Sequence, residues 1–229
     1  MDRALAIIPA RGQSKGLPNK HLLRLGGKTL IERALHSARE ATCLHRVIVS
    51  TEDFGLFRHA QEAGAEVLQR PDALATDEAG MIPVLQHAVR WVEYQGERYD
   101  LIVLLQPTSP FRTGEDIDEC VRLMEDRADS AQTVVPAPYH PRHLSFLLDD
   151  RCFLWHSYAR KDWRRQDGPH YHIPSGSVYV VRREVLMKDN RIIGADHRAL
   201  VRSWEASLNI NTPWDWRIAE MVLERGMKP

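Results

Sequence analysis

The sequence predicts a three-layer α/β sandwich, with helices on both faces of a mostly parallel sheet. Short apolar runs rich in Val, Ile and Leu recur at 4–8, 47–49 and 101–105. Segments of helical periodicity stand at 29–40, 54–63, 81–93 and 116–126. Strands that alternate with helices in this way form βαβ units, because parallel neighbours need a crossover that packs back onto the sheet. A third observation agrees: a glycine-containing basic loop follows the first run directly, where an open α/β sheet places its ligands.

Each element has a local reason. In the helix expected at 29–40, Leu30, Ala34 and Leu35 recur at the spacing of one buried stripe, as do Val84, Leu85 and Ala88 in 81–93. After 133–136 the pattern breaks, and 137–174 holds four prolines, five histidines, two tryptophans and the basic run from Arg160 to Arg165. A stretch this long without regular elements is either functional or an extension that packs elsewhere. The sheet pattern resumes at 177–181 and again at 207–210, and 213–224 reads as a closing helix with Pro213 in its first turn.

The 229 residues are 43% hydrophobic and carry 31 basic against 31 acidic side chains, so one domain with a real core is expected over 1–229. Zero formal net charge argues against a partner such as nucleic acid or an anionic membrane, since both are met with a sustained basic field. The apolar stretch from Ala4 to Pro9 is too short for a signal peptide or a spanning helix, and a cytoplasmic location is the expectation. Cys43, Cys120 and Cys152 lack metal-ligand spacing and suit a reducing compartment. His140, His143, His156, His170 and His172 crowd 137–174 without any zinc pattern, so they read as surface or interface residues.

The loop from Ile7 to Lys20 combines Gly12 and Gly16 with Arg11, Lys15 and Lys20. Glycines let backbone amides approach an anion, and the three cations can neutralise a triphosphate that a neutral protein would not otherwise attract. The loop is neither a Walker A sequence nor a GxGxxG fingerprint, and the plain alternative is a solvated basic turn.

Several motifs in order resemble the cytidylyltransferases that activate N-acetylneuraminate and related nine-carbon sugar acids. The stretch Ile8 to Pro18 is similar to that family's nucleotide loop, and Leu104-Leu105-Gln106-Pro107-Thr108-Ser109-Pro110-Phe111-Arg112 to its second motif. Arg70-Pro71 followed by Leu74 to Asp77 resembles the stretch that meets the base, and Arg165-Gln166-Asp167 leading to Gly176-Ser177-Val178-Tyr179 the sugar-binding stretch. The resemblance spans nearly the whole chain. It implies a Rossmann-like domain, CTP and a sugar acid as partners, magnesium or manganese as cofactor, and release of pyrophosphate. It also implies a homodimer in which 137–174 is the dimerisation and substrate-covering extension.

The resemblance also assigns roles. Arg11 and Lys15 would hold the phosphates with help from Lys20, while Ala10, Gly12, Ser14, His21 and Ala79 complete the nucleotide contacts. Arg70 would meet the cytosine edge, whose carbonyl oxygen and ring nitrogen suit a rigid donor fork. Gln106 would donate to the sugar acid, and Arg165 would grip its carboxylate with Tyr179 as hydroxyl partner; Arg164 or Arg160 are alternatives, and Arg142 with His143 stands near a further cation position.

Three departures stand out. The family usually carries two metal-binding aspartates near its C-terminus, and this chain has Asn209 and Asn211, with Asp215 nearby. Amides bind hard cations more weakly than carboxylates do. Either the amide oxygens still ligate, or Asp215 or Asp77 contributes, or the chain binds without catalysing. His21 replaces a common Asn, and Ser175 replaces the Asn before Gly176. The rival functions are a Kdo-type cytidylyltransferase, disfavoured by the Gln106 motif, and a non-catalytic nucleotide- or sugar-binding protein.

Overall fold

The computed structural model describes residues 2–13, 16–76, 78–139, 145–148, 151–154 and 170–226. The first half contains β1 (Ala4–Pro9), β2 (Arg24–Leu25), β3 (Lys28–Thr29), α1 (Leu30–Glu40), β4 (Leu44–Thr51), α2 (Phe54–Glu62), β5 (Glu66–Gln69) and α3 (Met81–Tyr94). After it come β6 (Leu101–Leu105), α4 (Gly114–Arg122), β7 (Ser130–Pro136), β8 (Ser145–Leu148) and β9 (Arg151–Leu154). The chain closes with β10 (His172–Arg182), α5 (Arg183–Met187), β11 (His197–Val201) and α6 (Pro213–Glu224).

Seven strands form one sheet in the order β11-β7-β10-β6-β1-β4-β5. β1 pairs in parallel with β4 and β6, and β4 with β5, while β10 runs antiparallel to both β6 and β7. Alternate strand residues point to opposite faces, and the packing follows that period. Ala4, Ala6 and Ile8 meet α1, α2 and α4 on one face, whereas Leu5 and Ile7 meet α3 and α5 on the other. A third cluster seats α6 through Ala219 and Val222 against Leu25, Leu30, Phe111 and Ile210. The expected sandwich with a mostly parallel sheet is the observed one. Among the described residues no helix is long and apolar enough to cross a membrane.

The structure corrects the sequence reading in four places. Residues 207–210 are not a strand: Ile210 is buried under α6 and its amide donates to Thr108 O at 2.8 Å, so this backbone pairs with a loop rather than a sheet edge. The strand the reading lacked is β11, whose short sequence His-Arg-Ala-Leu-Val has no fully buried residue and pairs with β7 at the sheet edge. The helix expected at 116–126 occupies Gly114–Arg122, because Thr113 and Asp116 form a capping box and Asp126 and Arg127 take left-handed φ values of 59° and 65°. Finally, 137–174 is not devoid of regular elements: β8 and β9 pair as a hairpin, and residues 172–174 belong to β10.

Candidate active site

The strand order reverses around β1, since β4 and β5 lie to one side of it and β6 to the other. Open α/β sheets bind ligands at such a switch point, beyond the carboxyl ends of the strands. A cavity of about 310 Å³ opens there, between Pro9 at the end of β1 and Gln106 just after β6.

One wall is built on β1 and β4. Glu52, one residue beyond β4, accepts from the Gly12 amide at 2.8 Å through Oε1. Its Oε2 accepts from Nε and Nη2 of Arg70 at 3.0 and 2.7 Å. A single carboxylate therefore braces the loop and aims the guanidinium. The Arg70 side chain is only 4% exposed, so its charge needs this partner. Leu74, Ala75, Thr76 and Ala79 extend the wall, and Met81 and Val84 of α3 give it an apolar floor.

The other wall joins the loop to the C-terminal segment. Lys20 opens a 3₁₀ turn spanning Lys20–Leu22, and its Nζ donates to Ile210 O and Asn211 Oδ1, both at 3.2 Å. Asn211 Nδ2 donates in turn to Asn209 Oδ1 at 3.2 Å. Gly16 is pressed onto this segment: a Cβ there would collide with Asn211 O. Gly176, at φ 80°, lies where β10 is irregular, and a side chain would strike Asn209 Nδ2 and crowd Gln106 Oε1. Because β10 is antiparallel to β6, with Val178 opposite Leu105, this bend is delivered beside Gln106. Arg112, buried, holds the corner by donating from Nη1 to Gln106 O and Ser177 O at 3.0 and 2.8 Å and from Nε to Ser37 Oγ at 3.2 Å. Burial pushes its guanidinium down to about 10.

The charges are tuned by burial. Burial first, then Arg11, lowers the Lys20 pKa, and Asp215 opposes them. His21 is pushed down to about 4 by burial and then by Lys20, so its ring is neutral. Its Nδ1 lies 3.1 Å from Arg11 O, which cannot donate, so Nδ1 carries the hydrogen and Nε2 is an acceptor. Burial alone would raise the Asp215 carboxyl, but hydrogen bonds from the Asn211 and Thr212 amides and the Thr212 hydroxyl, with the charge of Lys20, leave it below the usual range.

Arg11, Lys20, His21, Arg70, Ala79, Gln106, Asn209 and Asn211, widely separated in sequence, line one cavity. Ala10 lies buried behind it, and the Gly12 amide is spent on Glu52. Tyr179 is not in the lining; it packs with Met81 and Ile82 against the core on the α3 face, where burial raises its hydroxyl pKa. Asp215 caps α6 instead of facing the cavity. Ser14, Lys15, Asp77, Arg142, Arg160, Arg164 and Arg165 lie outside the described residues. The sequence reading missed Glu52; its position at the carboxyl end of a parallel strand was the available signal.

Fold and cavity together define a nucleotide-binding α/β protein of the nucleotidyltransferase type. The pattern of the family described as Cytidylyltransferase matches residues 5–182, and the chain belongs to that family. It is 30% identical to the CMP-N,N'-diacetyllegionaminic acid synthase of Legionella pneumophila, over 97% of each chain. It is also 30% identical to the N-acylneuraminate cytidylyltransferase of Escherichia coli over 97% of its own length, but spans only 52% of that protein. The solved CMP:2-keto-3-deoxy-manno-octonic acid synthetase complexed with CTP superposes with a TM-score of 0.74 at 17% identity, covering 98% of this chain and 100% of that one. That likeness establishes the fold.

Cytidylyltransferases of this kind generally use a divalent metal. The donors here do not fit one held by the protein. Asn211 Oδ1 accepts from Lys20 and Asn209 Oδ1 from Asn211, both are neutral amide oxygens that bind a hard cation weakly, and Asp215 Oδ2 accepts from the Asn211 amide and from the Thr212 amide and hydroxyl. Among the described residues no three His, Cys, Asp or Glu side chains gather at one point.

Proposed function

We propose that this chain transfers CMP from CTP to the anomeric hydroxyl of a nine-carbon sugar acid, releasing pyrophosphate. The observation that carries this reading is that the loop cations Arg11 and Lys20 line the same cavity as Gln106. The relatives named for N-acylneuraminate, N,N'-diacetyllegionaminic acid and pseudaminic acid support the acceptor class.

In this reading the anomeric oxygen attacks the α-phosphorus in line. An oxygen–phosphorus bond forms, the bond to the bridging oxygen of the β-phosphate breaks, and the hydroxyl proton leaves to water. The protein's task is to position the reactants and neutralise charge. Arg11 and Lys20, joined by Lys15, neutralise the phosphates, and Arg70, held still by Glu52, presents donors not used on Glu52 to the cytosine. Gln106 orients the sugar acid. Arg165 and Arg142 are the proposed cations for its carboxylate, and 137–174 the proposed contact between two copies in a cytoplasmic homodimer.

Pyrophosphate release from CTP tests the proposal, run against sialic, legionaminic, pseudaminic and Kdo acids with UTP and ATP as controls. Turnover with a nine-carbon acid and CTP alone is the expected result. Turnover with Kdo alone moves the acceptor to the eight-carbon class. CTP binding with no turnover on any acid would leave a binding protein on the same scaffold.

A further inference from the structure

The wall formed by Lys20, Asn211 and Asn209 is wired in one direction. An ammonium donates to one amide oxygen, and that amide donates to the next, each bond 3.2 Å long. Ile210 O supplies the ammonium's second acceptor. The geometry is pinned from two sides, because Gly16 brings the loop onto the Asn211 carbonyl and Gly176 leaves room for the Asn209 amide. The side-chain oxygens of both asparagines thus each already accept a hydrogen bond, and the only formal charge in the chain of donors is that of Lys20.

Charge balance gives this a meaning. Two carboxylates with one divalent ion between them sum to zero, as do two amides with no ion. A site with Asn at both positions and no metal therefore shows the phosphates the same net charge, that of Lys20, as a site with two aspartates and a bound ion. A divalent ion placed between the two amides would instead add two uncompensated positive charges a few ångströms from Lys20, and neutral oxygens are poor ligands for a hard cation.

We propose that Lys20 is the resident cation of this site. Its ammonium, held by Asn211 and Ile210, takes the electrostatic place of a protein-held divalent ion at the nucleotide's phosphates, and any divalent ion arrives only with those phosphates. The part concerning phosphates rests on the nucleotide reading above; the part concerning the empty protein does not.

Two measurements on the full chain separate them. The electron paramagnetic resonance signal of free Mn²⁺ is titrated with unliganded protein. The wild type is expected to leave its amplitude unchanged, and the double variant N209D/N211D to attenuate it by capturing the ion. Attenuation by the wild type that Asn211→Ala abolishes would overturn the proposal. CTP binding is then measured by calorimetry in EDTA. Wild type is expected to bind, Lys20→Met to bind at least ten-fold more weakly, and Lys20→Arg to recover most of the loss. Equal binding by wild type and Lys20→Met would also overturn it, with circular dichroism confirming that each variant is folded. Failure of the wild type to bind CTP at all, with or without Mg²⁺, would instead sink the nucleotide reading, and the Mn²⁺ titration would still decide whether the empty site holds a metal.

Discussion

The two walls of the cavity solve one problem in different ways. The Glu52 wall buries a formal ion pair, with Arg70 4% and Glu52 14% exposed, and shares one carboxylate between a guanidinium and the Gly12 amide. The Asn211 wall is more exposed and uses neutral amides to steer one ammonium. An opposite charge offsets the desolvation of a buried one, whereas a charge close to solvent needs only orientation. The buried ion pair thus lies on the side assigned to the base, and the cations Arg11 and Lys20 on the side assigned to the phosphates.

Substitutions can break this contrast. Glu52→Ala strands Arg70 and frees the Gly12 amide, and is expected to cost about 3–5 kcal/mol in urea unfolding; a loss below about 1 kcal/mol would show that the pair is not a buried one. The next effect comes from pH. The His21 pKa falls from about 6.5 unfolded to about 4 folded, so below pH 6.5 the unfolded chain binds more protons and stability drops as pH falls toward 4. The loss amounts to about 3 kcal/mol over that window, and His21→Asn is expected to flatten it in unfolding curves taken from pH 7 to 4.

Gly16→Ala forces the loop off Asn211 and tests whether the walls are coupled: a stability loss of about 1–3 kcal/mol is expected, together with weaker CTP binding. Unchanged CTP affinity would mean that the loop moves independently of the C-terminal segment. The smallest effect is expected from Asn211→Asp, which turns the Lys20 contact into an exposed ion pair. It should alter stability by no more than about 1 kcal/mol, and any gain should vanish in high salt. A change as large as that of Glu52→Ala would erase the distinction between the walls.

Much of this arrangement was legible in residue order. β6 and α6 occupy the expected 101–105 and 213–224, and α1, α2 and α3 begin within one residue of expectation, because a continuous apolar run and a 3.6-residue stripe are local signals. The exposed edge strand β11 carries no such signal, and the apolar pair Leu208 and Ile210 imitates one while serving the α6 cluster. Arg11, Lys20, Arg70 and Gln106 were found from the loop's composition and the motif resemblance. Glu52 and the linkage of Lys20 to Asn211 were not, since neither has a local pattern.

The sequence by itself determined the layers, the parallel core of the sheet, the basic loop after β1 and the departure from carboxylates at 209 and 211, for these are properties of neighbouring residues and residue type. Only the tertiary structure decided that β10 enters antiparallel beside β6, that one carboxylate serves both Gly12 and Arg70, and that Lys20 donates to Asn211, which donates in turn to Asn209. Those outcomes depend on which distant segments meet and which hydrogen-bonding groups remain unpaired when they do, and spacing along the chain records neither.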